Sequence, residues 1–449
     1  MKWLYYLLGT FLLLLAVALA LPLFVSLDHY IPRIEKELSA RLNEPVTIES
    51  IRFKVLSWPH VTIDGIKVGT TDDIKLDSIR LTPDLFSLLQ TTKVIKSIEI
   101  DAPTLNWKAI GMISALAEPD TAKSPQPPPV RVDSIRLNDA LIVFGTTNFG
   151  PFDAQAGLDS NGDPLEASLS TQDGKLKAFV KPGQSNYLID LSAKAWTVPL
   201  GPAIAFDELS ITGVATRDDA ALNQISAKLY GGTVVGKATL SWRQDLRLAG
   251  NFDLDQVETQ KLANLLSTAT HVSGKLSGKA TLSGSAPSAD HLANALRLEM
   301  TFQVQNGVIH GVDILKAATL TKQEASSGET RFDRLSGHLV LEHGEYRFSQ
   351  LEIASGALAV DGNVTISPNK ELSGRLDAQV KVLGAGTTVP LNVAGTLGAP
   401  LLYPTAATMA GAAVGTAILG PGLGTSVGAK LGGWTEGLFR GAERKKQKE

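Results

Sequence analysis

One short phrase recurs along the chain and limits what it can fold into. It reads apolar-x-apolar, two intervening residues, apolar-x-apolar. It occurs as VTIESIRF (46–53), VTIDGIKV (61–68), IKLDSIRL (74–81), VRVDSIRL (130–137), IAFDELSI (204–211) and YRFSQLEI (346–353), with a looser VIKSIEI ending at Ile100. Alternation of period two specifies strands with one apolar face. The two inner apolar residues are three apart, an odd step that on a straight strand would point them to opposite faces. Two devices keep all four on one side. A two-residue hairpin does so, and Asp64-Gly65 is a favoured pair for that turn. A bulge absorbs one residue and restores the alternation, an equal alternative at Glu49-Ser50 and Asp77-Ser78.

Either device yields a long sheet with one apolar face that must be covered. Gly (41) and Pro (22) are plentiful while 44% of residues are hydrophobic, which suits short strands and turns. The pattern predicts about twenty strands and about five short helices, too few helices to cover such a sheet. A second sheet would make a sandwich. A twisting, curling sheet with no filling core would make a trough. Acyl chains suit a trough, since burial contributes about 0.8 kcal/mol per methylene, roughly 10 kcal/mol for a long chain taken from water and less from a bilayer. Sandwich and trough both remain open on sequence physics.

Five stretches organise the 449 residues. Trp3 to Leu27 carries no charged side chain, long enough to cross a bilayer as a helix. Ala18-Leu19-Ala20 resembles a signal-peptidase site, but the apolar run continues past it and favours an anchor over residues 1–27. Lys2 puts the N-terminus in the cytoplasm and the bulk across the membrane. In residues 28–117, Ile31, Ile34, Leu38 and Leu42 form one helical stripe, with Pro32 suited to the first turn, and strands follow. TPDLFSLLQ (82–90) reads as a helix capped by Thr82 with Pro83 in its first turn. EPDTAKSPQPPP (118–129) is a proline-rich linker. Residues 130–404 are a β-rich body, with helices predicted at 255–267, 288–296 and 312–323. Residues 405–449 are glycine-rich with a basic end, RGAERKKQKE. Glycines at four-residue spacing permit close packing in a bilayer, and the same glycines suit a flexible tail; both readings stand.

Chemistry is hard to find. With no cysteine there is no disulfide, thiol nucleophile or zinc–thiolate site. A net charge of −3 gives no reason to expect nucleic acid. His338 and His343 are five apart, and His60, His271, His291 and His310 are scattered without ligand spacing. DSNGDP (159–164) resembles a calcium loop but has Pro164 where glycine is needed and Ser170 where glutamate is needed. No phosphate loop, nucleophile elbow or dinucleotide fingerprint is present. The expectation is a non-enzymatic protein with no cofactor and no metal.

The uncharged N-terminal run, IPRIEKELSARLNEPVTIESIRF, VTIDGIKVG, DIKLDSIRLTPDLFSLL and SIEIDAPTLNW together resemble the start of AsmA family proteins. VSGKLSGKATLSGSAPS, VQNGVIHGVDIL and FDRLSGHLVLEHGEYRFSQLEIASGALAVDGNVTIS are similar to that family's C-terminal region, while residues 150–250 carry little of the likeness. The resemblance implies an inner-membrane protein of Gram-negative bacteria with a periplasmic body. That family is grouped with TamB-like and chorein-like lipid bridges, and is implicated in phospholipid movement and outer-membrane integrity. It therefore favours the trough: a mainly β chain, its long twisted, curled antiparallel sheet forming an apolar groove, with a few short helices and an N-terminal transmembrane helix. The expected groove residues are Ile51, Phe53, Ile79, Leu81, Ile98, Ile100, Ile135, Leu137, Tyr346, Phe348, Val364 and Ile366. Partners would be membrane phospholipid, the inner membrane through residues 1–27, and proteins at the outer membrane. About twenty strands at about 4.8 Å give a groove of order 100 Å, shorter than the largest family members, so a partner or local action is implied. The alternative is a scaffold or assembly factor for outer-membrane proteins.

Overall fold

Alternation of period two becomes strand nearly everywhere it occurs. The structure, a computed structural model, describes residues 27–54, 59–71, 73–106, 130–144, 147–160, 162–184, 186–199, 203–216, 218–263, 270–287, 289–318, 328–356, 358–382 and 385–410. The chain divides into two compact units, Met1–Gly201 and Pro202–Glu449. The boundary falls inside the 130–404 stretch, not at the proline-rich segment, because strands on either side of 118–129 pair with each other. Most of residues 1–27, all of 118–129 and everything after 410 lie outside the described residues. Among the described residues no helix is long and apolar enough to cross a membrane.

The first unit opens with a 3-10 turn, Asp28–Tyr30, and helix α1, Ile31–Leu42, which carries Pro32 in its first turn and ends on Asn43 in the left-handed conformation. Its strands are β1 (Val46–Thr47), β2 (Ser50–Lys54), β3 (His60–Val68), β4 (Ile74–Pro83), β5 (Lys93–Asp101), β6 (Thr104–Asn106), β7 (Val130–Val132), β8 (Ser134–Phe144), β9 (Thr147–Leu158), β10 (Pro164–Thr171), β11 (Leu176–Pro182) and β12 (Tyr187–Thr197). Pairing is antiparallel from β1 and β2 through β3 and β4 to β5 and β6. Then β5 pairs with β7 and β8 in parallel, as does β6 with β8, before the antiparallel order resumes from β8 to β12. The expected uniform antiparallel sheet is thus corrected at this step. Parallel neighbours need a crossover, and the chain between Asn106 and Val130 supplies its length.

The second unit is an antiparallel meander of β13 (Ala205–Ala215), β14 (Asp219–Leu229), β15 (Gly232–Ser241), β16 (Leu246–Glu258), β17 (His271–Ala286), β18 (Arg297–His310), β19 (Glu329–Glu342), β20 (Glu345–Ser355), β21 (Leu358–Ile366), β22 (Leu372–Val382), β23 (Ala385–Thr396) and β24 (Ala399–Pro404). Helices α2 (Thr259–Ala263), α3 (Ala289–Ala295) and α4 (Ile314–Ala318) sit in three of its connections, and residues 406–410 begin another.

Two helix expectations change. Asp255 does not cap a helix; it pairs with Thr233, and β16 continues to Glu258 opposite Lys275 before α2 begins. Ladder pairing with two neighbours outweighs the helical spacing there. Thr82 and Pro83 likewise finish β4. The turn that follows is 3-10, Phe86–Leu89, and Asp84 takes the capping role, its Oδ1 accepting from the Phe86 N–H at 2.9 Å and the Ser87 N–H at 3.4 Å.

The recurring phrase resolves as a kink within a strand. Asp64-Gly65 is not a hairpin: both residues lie inside β3, with Gly65 at φ 63°. β1 and β2 break at the same level, so Val46 still faces Val68 while Ile51 faces Ile63 without loss of register. A methyl on Gly65 would meet Glu49 Cβ at 2.7 Å, so both the backbone angle and the space require glycine. In YRFSQLEI the device is a bulge: Gln350 takes φ 51° and the register of β20 shifts against both neighbours.

Two clusters anchor the sheets. Leu27, Ile31, Ile34, Leu38 and Leu42 pack α1 onto Val46, Ile48, Ile51, Ile66, Val68 and Ile74. Glu35 accepts from the Ile48 N–H and Ser39 from the Val46 N–H, fixing the helix along β1. In the second unit α4 is driven into the apolar face by Ile314, Ala317 and Ala318, beside Phe332, Val360, Ala378 and Leu391. Buried Thr330 Oγ1 accepts from the Ile314 N–H at 2.9 Å and donates to the Val312 carbonyl at 2.8 Å. The helix starting after Thr405 is docked too: Thr408 is fully buried and its hydroxyl lies 3.0 Å from that of Thr405. Neither tail reading anticipated a packed start.

Candidate functional site

Directly paired residues on neighbouring strands share a face, so register alone maps the apolar surface. In the first unit one line of pairs runs Phe53, Val61, Leu81, Ile98, Ile135, Ala156, Ala167, Val180, Ile189 from β2 to β12. A second line, two residues along, runs Ile51, Ile63, Ile79, Ile100, Leu137, Ala154, Leu169, Ala178, Leu191. All eight residues expected here therefore fall on two adjacent rungs. In the second unit a rung crosses every strand: Ile211, Ile225, Gly236, Phe252, Ala280, Met300, Leu339, Phe348, Val364, Gly374, Val393, Leu402. Tyr346 and Ile366 pair on the next rung, flanked by Leu341 and Leu372.

Coverage of these rungs is uneven. Ile51 is 3% exposed and packs under α1, and Ile366 is 9% exposed; the protein's own residues close both positions. α4 covers the second unit's apolar face around Leu376 and Leu391, and Phe302 meets Phe348 edge-on at 6.1 Å. Ile98, Ile100, Ile135, Leu137, Leu169, Val180, Ile189 and Leu191 are half-buried instead. In the second unit Leu339, Leu341, Tyr346, Phe348 and Val364 are half-buried as well, and burial raises the Tyr346 phenol above its ordinary range.

The opposite face carries most of the charged side chains, many of them paired with one another. Arg80 lies 2.7 Å from Glu99 and 3.7 Å from Asp101, and Arg136 reaches Glu99 at 3.3 Å. Burial works against the Asp101 charge, but hydrogen bonds from Asn138 and Ser78 and the Arg80 charge more than offset it and hold its pKa low. In the second unit Glu352, Asp361 and Asp377 face one another on consecutive strands. Burial, then the charges of Asp377 and Glu352, push the Asp361 carboxyl up.

The expected groove residues stop short of β9–β12. Leu169, Val180, Ile189 and Leu191 belong to the same rungs, and the alternation in LEASLS and YLIDLSA is the signal for them. The histidines are not all scattered. His271 pairs with His310, their rings stacked at 4.4 Å, and His310 lies 3.1 Å from Ser273 Oγ and 3.0 Å from Glu329 Oε1. His343 sits in the β19–β20 turn, at φ 51°, and not on a strand. Among the described residues no three histidine, aspartate or glutamate side chains gather as metal ligands. Across DSNGDP, Asp159 Oδ1 accepts from the Asp163 N–H.

The sequence model of the AsmA family matches residues 1–111 and 131–351. No curated protein and no solved structure matches the chain. The family is generally membrane-associated in the cell envelope, with roles suggested in outer-membrane assembly or lipid transport. With most of its length so matched, and with mainly β units built on continuous apolar rungs, the chain belongs to the AsmA family.

Proposed function

We propose that the half-buried apolar rungs form a groove for phospholipid acyl chains, and that the protein takes part in phospholipid transport between inner and outer membranes. In this reading residues 1–27 anchor it in the inner membrane and the described residues stand in the periplasm. It acts by binding, without catalysis, cofactor or metal. The observation that carries the reading is the pair of rungs from β5 through β12, where large aliphatic side chains on β5, β8 and β10–β12 are held at half burial. An extended apolar strip two rungs wide suits an alkyl chain, for which contact is bulk and non-directional.

Photo-reactive residues at Ile135 and Leu169 should capture phospholipid in cells, and one at polar-face Arg136 should not. Absence of phospholipid adducts at both apolar sites would count against the groove. A second reading, a scaffold for outer-membrane protein assembly, draws support from α4 and the docked start of the C-terminal helix, which close part of the second unit. Native mass spectrometry separates the two: copurifying lipid favours the groove, and a lipid-free body bound to assembly proteins favours the scaffold.

A further inference from the structure

Three of the first unit's exposed large apolar side chains, including its two most exposed, sit together, while Tyr30, Leu165, Phe179 and Leu188 lie elsewhere. Leu85 is 50% exposed, Phe86 83% and Leu89 92%, all in the β4–β5 turn. Val130, 50% exposed, pairs with Lys93 at the start of β5 and so lies at the same end of the strands. This projection is built, not frayed. Buried Ser87 donates to the Asp84 carbonyl at 2.7 Å and accepts from the Val94 N–H at 2.8 Å, and Asp84 caps the turn. The buried Ser87 side chain holds the turn on the sheet, while Leu85, Phe86 and Leu89 point outward. Three apolar residues held outward beside one another are the kind of exposed patch that marks an interaction site.

Position and charge say what the patch meets. The chain enters the first unit at Leu27, directly after the uncharged run that starts at Trp3. Asp28 Oδ1 accepts from the Ile51 N–H at 3.0 Å, which sets the entry point at the Ile51–Ile63–Ile79 rung. α1 then runs away from the β4–β5 turn, with Glu35 at Ile48 and Ser39 at Val46. From Ile79 to the end of β4 at Pro83 is about 13 Å at about 3.3 Å per residue. The chain therefore enters at mid-height of β4, on the side of α1 that faces the β4–β5 turn. Lys54 ends β2 and Lys93 opens β5 on this side, while Lys96 is paired with Asp84 at 3.4 Å. Exposed leucine and phenylalanine side chains with lysines at the adjoining strand ends suit the interfacial region of a bilayer.

We propose that the Leu85–Phe86–Leu89 projection is a second membrane contact, dipping into the headgroup region of the bilayer that holds the N-terminal run. It rests on the anchor reading of residues 1–27 and not on the groove. The test uses the full-length chain, which lacks cysteine. Phe86→Cys, or Leu89→Cys should the first fail to fold, is labelled with an environment-sensitive fluorophore and reconstituted in phosphatidylethanolamine–phosphatidylglycerol vesicles. Thr70→Cys, at the far end of β3, is the control. The expected result is a blue-shifted emission at 86 or 89, quenched when brominated acyl chains replace plain ones, and an unquenched label at 70. Equal, unshifted emission at 86 or 89 and 70 in floating vesicles overturns the projection while leaving the anchor standing. Protein that does not float with the vesicles overturns both. Lipid copurification, read separately, reports only on the groove.

Discussion

At the scale of single residues, backbone angle and charge set the expected effects. Gly65 holds φ 63° inside β3 with Glu49 pressed against it. Gly65→Ala should destabilise the first unit by about 1–2 kcal/mol, since an L side chain in the left-handed region costs that much before any clash; denaturant unfolding of the variant measures it. Asp361 behaves oppositely. Its folded pKa is raised, so the folded state binds its proton more tightly than the unfolded chain does. Its contribution is therefore favourable at acid pH and is lost as pH rises from the unfolded value through the folded one. Asp361→Asn should stabilise the protein at neutral pH by about a few tenths of a kcal/mol, because burial and then the like charges opposite it disfavour its ionised form, and solvent screens part of the effect. The gain should vanish near pH 3, which a pH series of melting curves would reveal.

At the scale of elements, α4 is the piece whose removal should matter most. Ile314 is 2% exposed within the second unit's core. Ile314→Ala should cost about 2–5 kcal/mol through lost burial and the cavity left behind. Thr330→Val should cost about 1–3 kcal/mol, because the Ile314 N–H and the Val312 carbonyl lose their buried partner. Circular-dichroism melts compare the pair against the parent. The strands themselves are legible in the sequence, since alternation is local and survives any choice of neighbour. The partner choice is not: that β5 lies parallel to β8 depends on residues far apart in the chain, as does the meeting of His271 with His310. Asp64-Gly65 misleads for a different reason. Its left-handed glycine suits a hairpin and a mid-strand kink alike, and only the facing break between β1 and β2 selects the kink.

At the scale of the whole molecule, the prediction concerns bulk contact. A groove of many weak aliphatic contacts should tolerate Ile135→Ala in lipid copurification but not Leu169→Asp, which places a charge midway along the strip. The variant's melting temperature should stay close to the parent's, as Leu169 is only half-buried; a wild-type lipid yield from Leu169→Asp would contradict the groove. The part of the candidate site on β2–β5 and β8 is legible in the sequence alone, because the phrase repeats there with large side chains. The part on β9–β12 is muted by alanines at 154, 156, 167 and 178, whose small size weakens a hydrophobic pattern while preserving its period.

From β9 to β11 each strand pairs with its two chain neighbours, and β9 to β12 each contribute one side chain to each rung. Excising or duplicating a hairpin such as β10–β11 would change the strip by about 9.6 Å and leave every remaining side chain on its original side. The parallel step at β5 and β8 permits no such edit, because a strand lost there would reverse the direction of its neighbour. The first unit thus behaves like a ruler with a fixed stub and a modular arm, and descendants of different reach could arise by hairpin copying in the arm alone.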